Sequence, residues 1–441
     1  MALTGLDIYK QLPKKNCGEC GPPTCLAFAM ALAAGKASLE SCPYVTDQAR
    51  ENLASASAPP IKLVRVGDVE LGDETVIFRH DKTFLHPTGI FIEVSDDEAL
   101  DEKIPLVNDL VFERVGQQYK VDGVALRCRS GDASRYQAAL EKVAAGYAGA
   151  LILDVKGFDG ATADNVVKTV AARKPLLFAA TPENYELLVE LAKKHACPLA
   201  VSASGLDGLA DLAQKCAGAG WKELVLAPSV TGLSAALADF TQMRRLSIKK
   251  KFRPLGYPTL AFTSATDPLE EIMEAQMYVA KYASAVVVKA CRKEELLPLL
   301  SWRANIYTDP QKPIQVEAKV HEVGAVSENS PVYVTTNFSL TYYSVEGEVE
   351  GSKIPAYILP VDTDGTSVLT AWAAGKFVAE TIADFLKKSG IEGKVSHREL
   401  VLPGHVAVLS GKLAELSGWK VVVGPREASG IPAFARQRYA G

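Results

Sequence analysis

The sequence predicts an α/β protein in three parts: a small N-terminal segment stapled through cysteines, a central TIM-like (β/α)8 barrel, and a C-terminal doubly wound α/β domain. Three observations predict this. Four of the eight cysteines crowd into residues 17–42. Short runs that are apolar on both faces recur from about residue 76 to 290, as in parallel strands buried on both sides. After the turn-rich TDPQKP at 308–313 a second strand–helix pattern starts afresh. A length of 441 residues accommodates this at ~150 residues per domain, with boundaries at 1–58, 59–312 and 313–441.

The first segment is too short to build an ample core, so the four cysteines read as its staple. It ends in ASASAPP at 54–60, small residues and then a stiff Pro pair, the composition of a linker. The middle carries VIFRH at 76–80, GVALRC at 123–128, ALILDV at 150–155, PLLFAA at 175–180, PLAVSA at 198–203, ELVLAPS at 223–229, PTLAFT at 258–263 and SAVVVKA at 284–290. Most starts lie 23 to 27 residues apart, room for one strand, one helix and two loops. Seven or eight such units fit a closed eight-stranded barrel better than the alternative, an open doubly wound sheet. In the last part, strand-like VYVTTN (332–337) and AYILPVD (356–362) precede DTDGTS and a long amphipathic helix to about Lys388. LVLPG at 400–404, a helix around 405–417 and strand WKVVVG at 419–424 complete a module whose strand carboxyl ends are the place for a ligand.

Composition excludes several functions. With 48 basic and 52 acidic residues the net charge is −4, and no basic footprint for nucleic acid stands out. The longest apolar run near the start, Leu26–Ala34, falls far short of the ~20 residues of a membrane span. The first residues lack the order of a secretory leader, so a cytoplasmic location is expected. Every Gly-Lys pair lacks the Ser or Thr of a phosphate-binding loop, and neither H-E-x-x-H nor G-x-G-x-x-G occurs. His80, His86 and His195 read as loop or strand-end residues.

The cysteine cluster is the strongest chemical signal: Cys17-x2-Cys20-x4-Cys25-x16-Cys42-Pro43. Gly18, Gly21 and Pro22 permit tight turns that aim the first three thiolates inward, and a helical LAFAMALAAGK brings Cys42 back. Four thiolates suit a cubane iron–sulfur cluster or a structural zinc ion. Three close ligands and one remote one depart from paired zinc knuckles, and the remote Cys42-Pro43 is as in bacterial ferredoxins although the other spacings differ, so an iron–sulfur cluster is expected over zinc, a disulfide or unliganded thiols. Cys128, Cys197, Cys216 and Cys291 read as small buried hydrophobes.

NCGECGPPTCLAFAMALAAGKASLESCPYV, the barrel-like middle and TDGTSVLTAWAAGKF together closely resemble the large (gamma) subunits of corrinoid iron–sulfur proteins, over all 441 residues. The resemblance implies a [4Fe–4S] cluster held by Cys17, Cys20, Cys25 and Cys42, a TIM-like barrel, and a C-terminal domain for a corrinoid, a base-off cobamide. It implies a methyl carrier of the anaerobic acetyl-CoA (Wood–Ljungdahl) pathway, usually grouped with methyltransferases. The cobalt accepts a methyl group from methyltetrahydrofolate through a methyltransferase and passes it to acetyl-CoA synthase. The cluster returns inactive Co(II) to Co(I). The implied partners are a small (delta) subunit forming a heterodimer, that methyltransferase, acetyl-CoA synthase/CO dehydrogenase, and a reductive activator or ferredoxin; nucleic acid and membrane are not among them.

Under this resemblance the corrinoid contacts fall at strand ends and turns. Asp364-Gly365 makes a turn, and Thr366 or Ser367 caps the helix that follows. Val368, Leu369 and the small Thr370 and Ala371 let a flat macrocycle approach. Thr336, Asn337 and Thr341 offer donors and acceptors, while Gly404 and Gly430-Ile431-Pro432-Ala433 offer space and apolar surface. His321-x-x-Gly324 half-matches a cobalt-ligating D-x-H-x-x-G motif, but Lys319 holds the Asp position, so a corrinoid without a histidine ligand is expected. Two other functions compete: an iron–sulfur electron carrier or reductive activator fused to a barrel, and a pterin- or folate-dependent barrel methyltransferase.

Overall fold

The computed structural model describes residues 5–33, 36–46, 49, 53, 59–78, 86–229, 232–309 and 313–439. The chain divides into two units, Met1–Phe112 with Tyr119–Tyr307, and Glu113–Gln118 with Thr308–Gly441.

In the first unit, helices α1 (Gly5–Gln11) and α2 (Cys25–Ala33) pack together. Ile8, Leu12, Phe28 and Ala29 form a small core with Cys25, Cys42 and Val45. A hairpin, β1 (Val64–Val66) and β2 (Val69–Leu71), then leads into eight parallel strands. These are β3 (Gly89–Ser95), β4 (Gly123–Arg127), β5 (Ala150–Asp154), β6 (Leu176–Ala180), β7 (Leu199–Val201), β8 (Leu224–Leu226), β9 (Leu260–Phe262) and β10 (Ala285–Val288). Their order, β8-β7-β6-β5-β4-β3-β10-β9, is a ring opened between β8 and β9. It is drawn shut there by a single bridge, with Leu226 N donating to Pro258 O at 2.8 Å.

Eight helices alternate with these strands: α3 (Leu100–Asn108), α4 (Ala133–Gly146), α5 (Gly160–Val170), α6 (Tyr185–His195), α7 (Gly205–Gly218), α8 (Leu233–Ile248), α9 (Pro268–Ala280) and α10 (Lys293–Tyr307). Three begin on an aspartate that accepts from two free backbone N–H groups: Asp132 on α4, Asp159 on α5 and Asp267 on α9. Each such cap contributes about 1 kcal/mol. Phe91, Ala125, Ile152, Leu176, Ala200, Val225, Leu260 and Val287 fill the barrel, and Val64, Val66 and Leu71 of the hairpin pack with them. Gly123 is needed there, because a Cβ would lie 2.3 Å from the Phe91 ring.

The expected first strand is displaced. Val76–Phe78 of VIFRH is not a strand, and His80 lies outside the described residues. The barrel starts instead at β3, whose Glu93 interrupts the apolar run. The segment at 72–78 is an irregular connection anchored by a buried ion pair, Glu74 with Arg244, while Arg244 also donates to Val76 O.

The second unit holds a five-stranded sheet, with β11 (His321–Val323) antiparallel at one edge. The remaining strands are β12 (Val332–Thr336), β13 (Ala356–Val361), β14 (Glu399–Leu402) and β15 (Lys420–Val423), all parallel, in the order β11-β13-β12-β14-β15. Helices cover both faces. On one, α11 (Ser339–Ser352) and α15 (Ile431–Tyr439) bury Tyr333, Ile358 and Val401. On the other, α13 (Ala379–Lys388) and α14 (Ser410–Ser417) bury Val334, Leu359, Leu400 and Trp419. The single helix expected to reach Lys388 is two, because the chain turns at Gly375 (φ +71°) between α12 (Val368–Ala373) and α13. Among the described residues no helix is long and apolar enough to cross a membrane.

Candidate functional site

All four N-terminal cysteines are free. Cys25 and Cys42 are buried in the small core, Cys20 packs against it, and Cys17 is exposed. Gly18 (φ +76°) and Gly21 (φ +100°) turn the loop, closed by Gly21 N donating to Gly18 O at 3.0 Å. Asn16 locks its start: Oδ1 accepts from Cys25 N at 2.8 Å, and its own N–H donates to Cys25 Sγ at 3.4 Å. Burial, then the neighbouring thiol of Cys42 and those of Cys17 and Cys25, pushes the Cys20 thiol above its ordinary value, although its own backbone N–H opposes this. Cys20 therefore senses the other three sulfurs electrostatically. Among the described residues no three His, Cys, Asp or Glu side chains converge closely enough for a single metal ion. An all-thiol donor set on a dry floor beside a glycine-turned loop fits an iron–sulfur cluster.

The second unit contains a cavity of about 410 Å³. It lies where strand order reverses, at the carboxyl ends of β12 and β14, which share one paired position, Tyr333 with Val401. Strands that part this way leave a crevice, the usual ligand position in doubly wound sheets. Val334, Thr335, Val401, Leu402 and Pro403 form its sheet side; Phe338, Leu340 and Val345 come from the chain after β12, and Gly424–Ala428 from the chain after β15. The walls are mostly apolar, yet two lining residues carry buried hydroxyls with no partner among the described residues, Thr335 Oγ1 and, beside Tyr439, Tyr333 Oη. Desolvation, and then Tyr439, holds the Tyr333 phenol above its ordinary value, hence neutral and able to donate. A buried unpaired hydroxyl costs about 1–3 kcal/mol, and a ligand's polar group relieves it.

Of the residues expected to contact a ligand, Thr341, Ser367, Val368, Leu369 and Ile431 line this cavity. Others stand behind it. Thr336 points to the opposite sheet face from Thr335, also without a partner for its hydroxyl. Asn337 is committed to the loop after β13: Oδ1 accepts from Thr363 N, Thr363 Oγ1 and Gly365 N at 3.0, 3.2 and 3.1 Å, and Nδ2 donates to Gln315 and Asp362. Thr366 Oγ1 donates to Thr363 O, and Ser367, at the helix N-cap position, donates to Thr370 Oγ1 and caps no backbone group. Ala371 is buried in the core. Gly404 lets two loops touch, since a Cβ would sit 2.6 Å from Gly424 O. Gly430, Pro432 and Ala433 flank Ile431 at the start of α15 without lining the cavity. The apolar wall residues and His405 escape sequence reading, because only the strand order brings them together.

The histidines separate by position. His321 Nε2 lies 2.9 Å from Glu317 O, its ring beside Tyr342, away from the cavity. His405 lines the cavity, with Nε2 3.2 Å from Glu427 Oε1. His195 pairs with Asp164, and His86 with Glu70. At the carboxyl end of the barrel, Arg127 binds Asp154 at 3.0 Å and lies over the rings of Phe178 and Phe262. These side chains occupy the barrel mouth with one another.

Residues 64–435 match the family described as "CO dehydrogenase/acetyl-CoA synthase delta subunit", and residues 12–44 match the one described as "Putative Fe-S cluster". The chain is 58% identical to the corrinoid/iron–sulfur protein large subunit of Moorella thermoacetica over 447 aligned residues, covering 100% of both chains. It is 33% identical to the acetyl-CoA decarbonylase/synthase complex subunit gamma of Methanothermobacter thermautotrophicus, covering 98% of each. Against the corresponding subunit of Methanopyrus kandleri the identity is 35%, over 98% of this chain and 97% of the relative.

Proposed function

Because the chain belongs to the family of corrinoid/iron–sulfur protein large subunits and acetyl-CoA decarbonylase/synthase gamma subunits, we propose that it is a methyl carrier, taking a methyl group from methyltetrahydrofolate on a separate methyltransferase and handing it to acetyl-CoA synthase. A bound cobamide supplies the nucleophilic cobalt for these transfers, and a [4Fe–4S] cluster the electron that restores Co(I) from Co(II). Residues 1–58 hold the cluster through Cys17, Cys20, Cys25 and Cys42; residues 59–312 form the barrel; residues 313–441 hold the cobamide. The partners in this reading are a small subunit, the methyltransferase, acetyl-CoA synthase/CO dehydrogenase, and an activator or ferredoxin.

One observation carries the reading: an apolar 410 Å³ cavity at the strand-order reversal, lined by Thr335, whose buried hydroxyl has no partner among the described residues. That volume suits a small organic group, here the nucleotide end of the cofactor. Thr335 donates to it, Thr341 and Ser367 offer further hydroxyls, and Leu340 and Leu369 are exposed apolar walls. Asn337, Gly365, Thr366 and Gly404 shape the loops that hold these walls. No histidine ligates cobalt in this reading, since His321 is turned away and His405 is paired with Glu427. The barrel acts as a scaffold in this reading, with Arg127 at its mouth committed to Asp154, Phe178 and Phe262.

Metal analysis of anaerobically purified chain with its partner subunit tests this. About four iron and one cobalt per chain are expected. Thr335→Val should stabilise the cofactor-free chain by about 1 kcal/mol or more, by removing the unpaired hydroxyl, and weaken cobamide retention about fivefold, the effect of one lost hydrogen bond. Colourless protein, zinc in place of both metals, or nitrogen splitting from an axial histidine in the Co(II) spectrum would overturn the corresponding part.

A further inference from the structure

The cysteine segment contains a three-residue tie that ligation alone does not require. We propose that Lys15, Tyr44 and Glu19 form a latch that positions Cys17 at the edge of the thiolate site; the proposal rests on the cluster reading above. The three residues sit immediately around the ligands: Lys15 two before Cys17, Glu19 between Cys17 and Cys20, Tyr44 two after Cys42. Tyr44 Oη donates to Glu19 Oε1 at 2.9 Å, across 25 residues of chain. Lys15 Nζ stands 3.8 Å from the centroid of the Tyr44 ring. One phenol thus joins both ends of the loop that carries Cys17 to the segment that follows the fourth cysteine.

The loop needs such a restraint. Lys14 (φ +58°) and Asn16 (φ +50°) are both left-handed without being glycine, a backbone state that persists only where surrounding contacts enforce it. Asn16 is enforced from within by its two bonds to Cys25. Lys15, between the strained pair, has its side chain held from outside by Tyr44. Cys17, the exposed cysteine of the four, lies in the span bracketed by Lys15 and Glu19. Without the latch, that sulfur is the one most free to swing into solvent.

The charges give the latch a second effect. A positive Lys15 beside the site favours the more reduced, more negative state of a bound cluster, and a negative Glu19 opposes it. Tyr44 keeps both at fixed positions, so the latch sets an electrostatic balance as well as a shape.

The test uses the full chain, purified anaerobically with its metals and partner subunit, and measures iron transfer to a ferrous chelator and trypsin cleavage after Lys15. Tyr44→Phe keeps the ring but loses the bond to Glu19. It should release iron about fivefold faster and be cut after Lys15 about fivefold faster, as one lost hydrogen bond predicts. Glu19→Gln keeps an acceptor for the phenol and should stay near wild type in both rates. The reduction potential supplies a readout that a loop-holding role alone would not move: Lys15→Met should lower it and Glu19→Gln raise it. Equal iron-release and cleavage rates for Tyr44→Phe and wild type would overturn the latch, as would potentials that move together in the two charge variants. Wild-type protein without iron would overturn the cluster reading instead, and the relative cleavage rates would still decide the latch.

Discussion

Replacing Asn337 tests the account of the loop behind the cavity most severely. Its side chain is 2% exposed and makes five hydrogen bonds, three accepted from Thr363 and Gly365 and two donated to Gln315 and Asp362. Asn337→Ala strands two buried backbone N–H groups, those of Thr363 and Gly365, at about 1–3 kcal/mol each. Asp362 is exposed and regains water, and Thr363 Oγ1 keeps Thr366 O as a partner, so the sum is about 3–4 kcal/mol. For a unit of this size that lowers the melting temperature by roughly 10 °C, read by scanning calorimetry of the full chain. Asn337→Asp retains the three accepted bonds but sets a second carboxylate oxygen against Asp362. A melting temperature for Asn337→Ala within about 2 °C of wild type would refute this reasoning.

Two further outcomes follow from the same kind of argument. Asp96, 5% exposed at the end of β3, accepts from Arg129 N, Ser130 N and Ser130 Oγ and contacts the Cys128 thiol. Desolvation is the largest single influence on it and pushes its pKa up, but those hydrogen bonds together hold it below the ordinary 3.8. A depressed folded value means stability that is present above the ordinary value and lost as pH falls through the folded one. Asp96→Asn should therefore cost about 1 kcal/mol at pH 7, with the gap to wild type closing below about pH 4 in acid-unfolding curves. Gly404→Ala should force apart the loops that meet at Gly424–Arg426, lowering stability by about 1–3 kcal/mol and cobalt content along with it; unchanged cobalt would show that this contact does not shape the cavity.

Legibility in the sequence followed the physics of burial. Seven of the eight barrel strands announce themselves because both faces are apolar, as in ALILD of β5 and LLFAA of β6. The eighth, β3, is masked by Glu93, which pairs with Arg129, while the apolar VIF at 76–78 belongs to a connection whose Phe78 is exposed. The cysteine motif is readable because ligand chemistry fixes residue type and spacing. The cavity is less so. Its polar candidates look like ordinary caps and turns, and its walls are ordinary core residues until strand order is known. Thr335 and Thr336 show the limit most sharply: adjacent hydroxyls on one strand point to opposite faces, and register decides which one meets the cavity.

Tyr333 and Val401 form the only paired position in register between β12 and β14. Stitched through its middle by so little, the C-terminal sheet consists of two ribbons, and a guest wedged at their carboxyl end works against one rung instead of a whole ladder. Widening the gap leaves the β13–β12 and β14–β15 pairings whole. Splaying along this line needs no unfolding of the domain.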